Sequence, residues 1–212
     1  MHLSNGNQIL MLNDFLNSSS PHLHKKWLIA VSGGIDSMVL WDLVSKAKIN
    51  YGIAHCNFNL RGNESLEDQN FVHNRAIDLK VPFFSQSFNT YKYAKEKKIS
   101  IQEAARFLRY DWLFTIAKEH DFNIISTGHQ LNDEIETIIF RIAKGTGFKG
   151  LRGIPQENGI IFRPLLFASS EQINSYALEM NIEFRNDSSN LSRKYSRNLI
   201  RLEIIPKLKN IN

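Results

Sequence analysis

The chain has 212 residues, 42% hydrophobic and 22% charged, enough apolar sequence for one full core with some extra structure. No apolar run approaches the roughly 20 residues that cross a bilayer, and Met1–Pro21 lacks a basic stretch followed by an apolar one, so no membrane and no secretion are expected. The single Cys56 excludes an internal disulfide and an all-cysteine metal cluster, which fits a reducing cytoplasm. The net charge of +5 is concentrated: from Arg185 to Asn212, seven basic side chains stand against two acidic ones, leaving residues 1–184 neutral. A basic tail of this kind is the footprint of a phosphate-rich partner such as RNA, or an ordinary solvated helix face.

In chain order, the apolar runs predict strands at Trp27–Val31, Tyr51–Asn57, Pro82–Ser87, Asn123–Thr127 and, shorter, Ile160–Phe162. Helical periodicity predicts Ser37–Lys46, Glu64–Leu79, Ile101–His120, Asn132–Lys144, Ser170–Met180 and a final amphipathic helix at Ser196–Leu208. Ser100 and Glu103 read as a capping box for the third helix. This alternation predicts an α/β fold: a parallel twisted sheet with helices on both faces, followed by a short helical extension. The expected division is a catalytic domain over 1–184 and a basic connector with the start of a helical region over 185–212. Ligands in such sheets bind beyond the C-terminal strand ends, where Ser32–Ser37, Asn57–Arg61 and Gly128–His129 fall.

Two clusters carry chemistry. In Ser32-Gly33-Gly34-Ile35-Asp36-Ser37 a strand meets two glycines and a helix start. Glycines let backbone N–H groups approach an anion, and the helix N-terminus adds free N–H groups and its positive dipole end. Ser32 and Ser37 offer hydroxyls, while Asp36 would repel phosphate unless a Mg²⁺ lies between them. The loop lacks the lysine of a P-loop and the spacing of a dinucleotide fingerprint, so a Mg²⁺-bound polyphosphate is the expected guest. The second cluster, Thr127 to Thr137, follows a strand and opens a helix with Asn132 as expected cap. Asp133 and Glu136 share one face near the helix start, with His129 in the loop before them. Such a group can hold a cation or accept a proton, or the acidic pair simply favours the helix dipole.

The pattern S-G-G-x-D-S resembles the pyrophosphate loop of the ATP-pyrophosphatase superfamily (adenine nucleotide alpha hydrolase-like, PP-loop ATPases). With His55-Cys56-Asn57, Leu60-Arg61-Gly62, Glu103–Arg106, Arg109-Tyr110, Gly128–Thr137, Gly145–Leu151, Arg163–Leu166, Asp187–Asn190 and Arg197–Arg201 in order, the chain resembles the catalytic part of bacterial tRNA(Ile)-lysidine synthetases from about Trp27 onward. That resemblance implies ATP and Mg²⁺, free L-lysine and an isoleucine tRNA with a CAU anticodon. ATP adenylates the wobble cytidine, and lysine then displaces AMP. It further implies ATP contacts from Ser32, Gly33, Gly34, Ile35, Asp36 and Ser37, and a metal role for Asp36. Asp36, Arg109, His129 and Arg201 are the expected catalytic residues, with Arg109 and Arg201 on the departing phosphates. Asp133, Glu136 and, alternatively, Arg109 are expected to hold lysine, and His129 or a carboxylate to take the amine proton. Arg61, Lys149, Arg193, Lys194 and Arg197 are the expected tRNA contacts.

Blander readings stand beside these. Gly145–Gly150 could be a plain connector, Arg61 an exposed loop residue, Arg106 a support for Glu103, and Asp187–Asn190 a turn. Cys56 is expected as a small buried residue, and Phe83, Phe84, Phe107 and Trp112 as core. The chain departs from the family where Gln130 and Asn132 replace a second His and a second Asp. It also stops at Asn212 within a helix that reads as unfinished, the expectation for a truncated or short form. The competing readings are another PP-loop enzyme, such as a tRNA thiolase or an amidotransferase-type synthetase, and a non-catalytic RNA-binding module. Paired cysteines would favour a thiolase, and this chain has one.

Overall fold

In a computed structural model, residues 4–147, 151–186 and 199–209 are described. Helix α1 (Ser4–Ser19) and a 3₁₀ turn (Ser20–His22) precede β1 (Lys26–Ala30), α2 (Ile35–Lys46), β2 (Asn50–Asn57), α3 (Asn63–Asp78) and β3 (Phe83–Ser87). Then come α4 (Thr90–Lys97), α5 (Ile101–Glu119), β4 (Ile124–Thr127), α6 (Leu131–Ala143), β5 (Glu157–Asn158), β6 (Ile161–Phe162) and α7 (Ser170–Glu179). A π-helical turn (Ile200–Ile204) runs into α8 (Ile205–Lys209). The sheet order is β3-β2-β1-β4-β6-β5, parallel except for the β5–β6 pair at one edge.

The centre of this sheet explains why it forms. β1 pairs with β2 on one side (Ile29 opposite Ile53) and with β4 on the other (Ile29 opposite Ser126), so both its edges are hydrogen-bonded. Alternate β1 side chains feed two cores, as the two-residue period requires. Trp27 and Ile29 join Phe15 of α1, Val39 and Leu43 of α2, Val72 of α3 and Tyr176 of α7. Leu28 faces the opposite layer with Leu113, Ile116 and Ala117 of α5 and Ile125 of β4. Burying one such side chain contributes about 1.5–3 kcal/mol, so the β1 run alone is a large fraction of a domain's net stability.

The predicted strands and the helices up to Met180 form with ends shifted by one or two residues, while the predicted helix Ser196–Leu208 starts outside the described residues and is seen as a π-helical turn from Ile200 and an α-helix only from Ile205. The Ser100–Glu103 capping box is present, Ser100 Oγ accepting from the Glu103 N–H (3.2 Å) and Glu103 Oε2 from the Ser100 N–H (3.0 Å). Two helices go unpredicted and three expectations are corrected. Residues 4–19 form a helix that anchors Met11 and Phe15 one turn apart in the core, although Gly6 and four asparagines give it weak intrinsic helicity. Thr90–Lys97 is a two-turn helix capped by Asn89, whose side chain accepts from the Lys92 N–H (3.1 Å). The cap of α6 is Gln130, not Asn132: Gln130 Oε1 accepts from the Asn132 N–H and Asp133 Oδ2 from the Gln130 N–H, while Asn132 reaches across to the Ser170 N–H. Phe107 is no core residue; it is 59% exposed and stacks on Tyr93, whereas Phe83, Phe84 and Trp112 are half-buried against the cores. Arg106, read as a support for Glu103, lies instead over the Tyr110 ring at 5.1 Å.

Candidate active site

The chain runs from β1 outward through β2 and β3, then returns to β4 on the other side of β1. This reversal opens a crevice beyond the C-terminal ends of β1 and β4, the place where open α/β sheets bind ligands. A cavity of about 490 Å³ lies there, lined by Ser32, Gly34–Ser37, Cys56, Phe58, Arg109, Thr127–His129, Asp133, Phe184–Asn186 and Arg201. Most of the residues expected at the ATP and lysine sites therefore face one space.

The first wall is the loop after β1. Gly34 is the N-cap of α2 and supplies no side-chain cap, so the first N–H groups of the helix are left for an anion. Gly33 has φ +93°, a left-handed conformation that other residues adopt only with strain. The serines do more internal work than expected. Ser37 Oγ donates to the Gly34 carbonyl (2.8 Å) and accepts from the Ser32 N–H (3.2 Å), while Ser32 Oγ accepts from the Gly34 N–H (3.2 Å). These bonds curl the loop into a fixed cradle. Gly128 closes it from β4: a Cβ there would sit 3.1 Å from the Asp36 carbonyl and the Ser37 nitrogen, so only glycine lets the two loops approach this closely.

The second wall is the start of α6. Glu136 is buried (3% exposed) and Asp133 half-buried. Arg201, from the π-helical turn, holds both: Nε donates to Glu136 Oε1 (2.5 Å), and Nη2 reaches Glu136 Oε2 (3.2 Å) and Asp133 Oδ1 (3.5 Å). Arg201, expected on the phosphates, thus occupies the carboxylate pair expected for the lysine ammonium. Asp36 sits between the walls. Its carboxyl is pushed up to about 6, first by burial, then by Asp133, with Arg201 opposing and Glu136 adding to the rise. Asp133 and Glu136 thus act on the Asp36 carboxyl in the same sense as burial, against Arg201, and that carboxyl makes no hydrogen bond among the described residues. Among the described residues no group of three or more His, Cys, Asp or Glu side chains is arranged to hold a metal ion, so a cation at Asp36 would need phosphate oxygens among its ligands.

Arg109 lies 5.3 Å over the Phe58 ring and makes no ion pair among the described residues, which leaves its charge available to an anion in the cavity. His129 lies in the cavity wall, its Nδ1 2.8 Å from the Thr127 hydroxyl. Cys56 also lines the cavity, but burial pushes its thiol up to about 12, so it is no thiolate at neutral pH. His55 is structural: it is buried, bonded to the Val31 carbonyl (2.9 Å), and burial lowers its basicity.

Arg61 turns onto α3, pairing with Asp68 (2.6 Å) and, more loosely, Glu64 (3.8 Å). Lys149, Arg193, Lys194 and Arg197, like Asp187–Asn190, lie outside the described residues. Sequence reasoning passed over Phe58, Phe184, Asn186 and the Asp68–Arg185 pair. A buried acidic residue on a mostly polar helix face such as α3 carried no readable signal.

The family model for the PP-loop domain matches residues 7–208. The chain belongs to the PP-loop domain family. The tRNA(Ile)-lysidine synthase of Bacteroides thetaiotaomicron is 42% identical over 187 residues, covering 88% of this chain and 44% of that protein. The one from Thermosipho africanus is 46% identical over 189 residues, covering 87% and 44%. The chain thus spans less than half the length of these curated relatives. Among solved structures, the U34-tRNA thiolase NcsA from Methanococcus maripaludis, which holds a [4Fe-4S] cluster, superposes with a TM-score of 0.78 at 14% identity, covering 96% of this chain and 74% of that one. That likeness confirms the PP-loop fold alone.

Proposed function

We propose that the chain is the catalytic part of a tRNA(Ile)-lysidine synthetase, acting in the cytoplasm. The observation that carries this reading is the meeting, on one cavity, of an anion-cradling loop and Asp133, with Glu136 buried beside it on the same guanidinium of Arg201. In the first step the C2 carbonyl oxygen of the wobble cytidine attacks the α-phosphorus of ATP, and pyrophosphate leaves. In the second the ε-amine of free L-lysine attacks C2, a C–N bond forms, the C–O bond to AMP breaks, and the amine gives up a proton.

Each half of this chemistry finds a matching wall. Backbone N–H groups of Gly33–Ser37, with the Ser32 and Ser37 hydroxyls behind them, receive the phosphates. Asp36 would hold Mg²⁺, which when bound offsets phosphate charge. Arg109 stabilises negative charge on the leaving group or holds the lysine carboxylate. Asp133 and Glu136 hold the lysine ammonium, with His129 or one of these carboxylates taking its proton. The Arg201 pairing suits such a site: a guanidinium stands where a substrate cation would bind, and lysine would release it toward the phosphates. Arg61, Lys149, Arg193, Lys194 and Arg197 contact an isoleucine tRNA with a CAU anticodon. Residues 1–184 form the catalytic domain, and 185–212 open a tRNA-contacting region.

The test is incubation of the chain with ATP, labelled lysine and a high concentration of unmodified isoleucine tRNA. Label in the tRNA with matching AMP and pyrophosphate is expected. Pyrophosphate release without lysine incorporation would point to another acceptor chemistry, and no turnover to a binding module. The protonated Cys56 and the lack of a second cysteine in this chain weigh against a cysteine-dependent thiolase.

A further inference from the structure

The loop of Ser32–Ser37 is braced from outside by a group that no motif includes. Asp68 of α3 is 7% exposed, yet it carries two guanidinium partners: Arg61 Nη2 on Oδ2 (2.6 Å) and Arg185 Nε on Oδ1 (2.5 Å). Arg185 Nη2 also donates to Glu67 Oε2 (2.6 Å). This clamp fixes the backbone at Arg185, whose N–H donates to the Gly33 carbonyl (2.9 Å). A trans peptide is planar, so its C=O and N–H point in opposite directions. Holding the Gly33 oxygen toward Arg185 therefore turns the Gly34 N–H toward the cradle, where it meets Ser32 Oγ. Glycine stands on both sides of this peptide, so side-chain sterics do not oppose a flip, and a flipped peptide would face the anion with a carbonyl oxygen.

We propose that Asp68 is a positioning residue for the nucleotide: acting through Arg185, it locks the Gly33–Gly34 peptide with its carbonyl turned away from the phosphates and its N–H, bonded to Ser32 Oγ, on the phosphate side. This rests on the reading of the loop as an ATP site. The test uses the whole chain, Asp68→Asn and, because a buried substitution can impair folding, Arg185→Met at the cavity rim, which leaves the Arg61–Asp68 pair intact. Titration with Mg²⁺ and α,β-methylene ATP is expected to show affinity weakened about tenfold, the worth of one charge-assisted hydrogen bond. Hydrogen exchange at the Arg185 amide accelerates in the same variants, while lysine half-saturation stays unchanged and saturating ATP restores turnover. Undiminished nucleotide affinity in a folded variant whose Arg185 amide has lost protection would overturn the proposal, as would equal losses in ATP and lysine binding. If the unsubstituted chain fails to bind the analogue, the ATP reading of the loop falls, and this inference with it.

Discussion

The two walls of the cavity solve opposite problems by different means. The loop after β1 offers an anion almost no side-chain charge, only helix N–H groups without a side-chain cap, two glycines and serines that tie the loop to itself. The start of α6 gathers negative charge in side chains and balances part of it with Arg201 from far along the chain. Backbone recognition is rigid and fails when geometry shifts. Side-chain recognition fails when charge is removed. Substitutions on the two walls should therefore leave different signatures.

The largest effect is expected at Asp36, which stands between the walls. Asp36→Ala should lower pyrophosphate release on the order of 10³-fold, the scale of losing several kcal/mol of charge stabilisation; activity within a few-fold of the parent would remove Asp36 from the metal role. Next comes Gly128→Ala, which tests whether geometry alone governs the first wall. The new methyl meets backbone on α2 rather than a movable side chain, so a stability loss of about 1–3 kcal/mol is expected, with nucleotide affinity reduced more than lysine affinity. Thermal melting and nucleotide titration read both.

A pH dependence follows from the same electrostatics. The carboxyl of Asp36 rises from 3.8 to about 6 on folding, so the folded chain holds this proton more tightly than the unfolded one. The group's contribution to stability is then full below about pH 4 and is lost as pH rises through 6. Without divalent cations, Asp36→Asn should flatten that part of the melting-temperature profile; an unchanged profile would assign the slope to other groups. The smallest effect is expected at Arg61→Ala. Asp68 keeps its Arg185 partner, so the cost should stay near 1 kcal/mol in chemical denaturation. A larger drop in tRNA binding than in stability would support the tRNA role of Arg61.

Much of this was legible in the sequence because it depended on local pattern. The β1 apolar run, the glycine pair and the helix after it could be read residue by residue, as could Asp133 and Glu136 at helical spacing. Other features depend on contacts between distant segments. Arg201 meets Glu136 across 65 positions and Arg185 meets Asp68 across 117, and no periodicity marks such pairs. The α6 cap misled for a related reason: Asn132 is the better capping type, but its side chain is drawn to Ser170 in the neighbouring α7. Helix α1 hid because its stability comes from Met11 and Phe15 docking in the core, not from its own propensity.

The most direct test of the two-walled site follows both steps in one reaction of Glu136→Gln. Pyrophosphate release reports the nucleotide wall, and labelled lysine in the tRNA reports the acidic wall. With separate duties, pyrophosphate release should persist within a few-fold while lysine transfer at low lysine falls about 100-fold, on the scale of a lost charge-assisted pair. Equal loss of both signals, or lysine transfer as efficient as in the unsubstituted chain, would contradict the assignment of Glu136 to lysine.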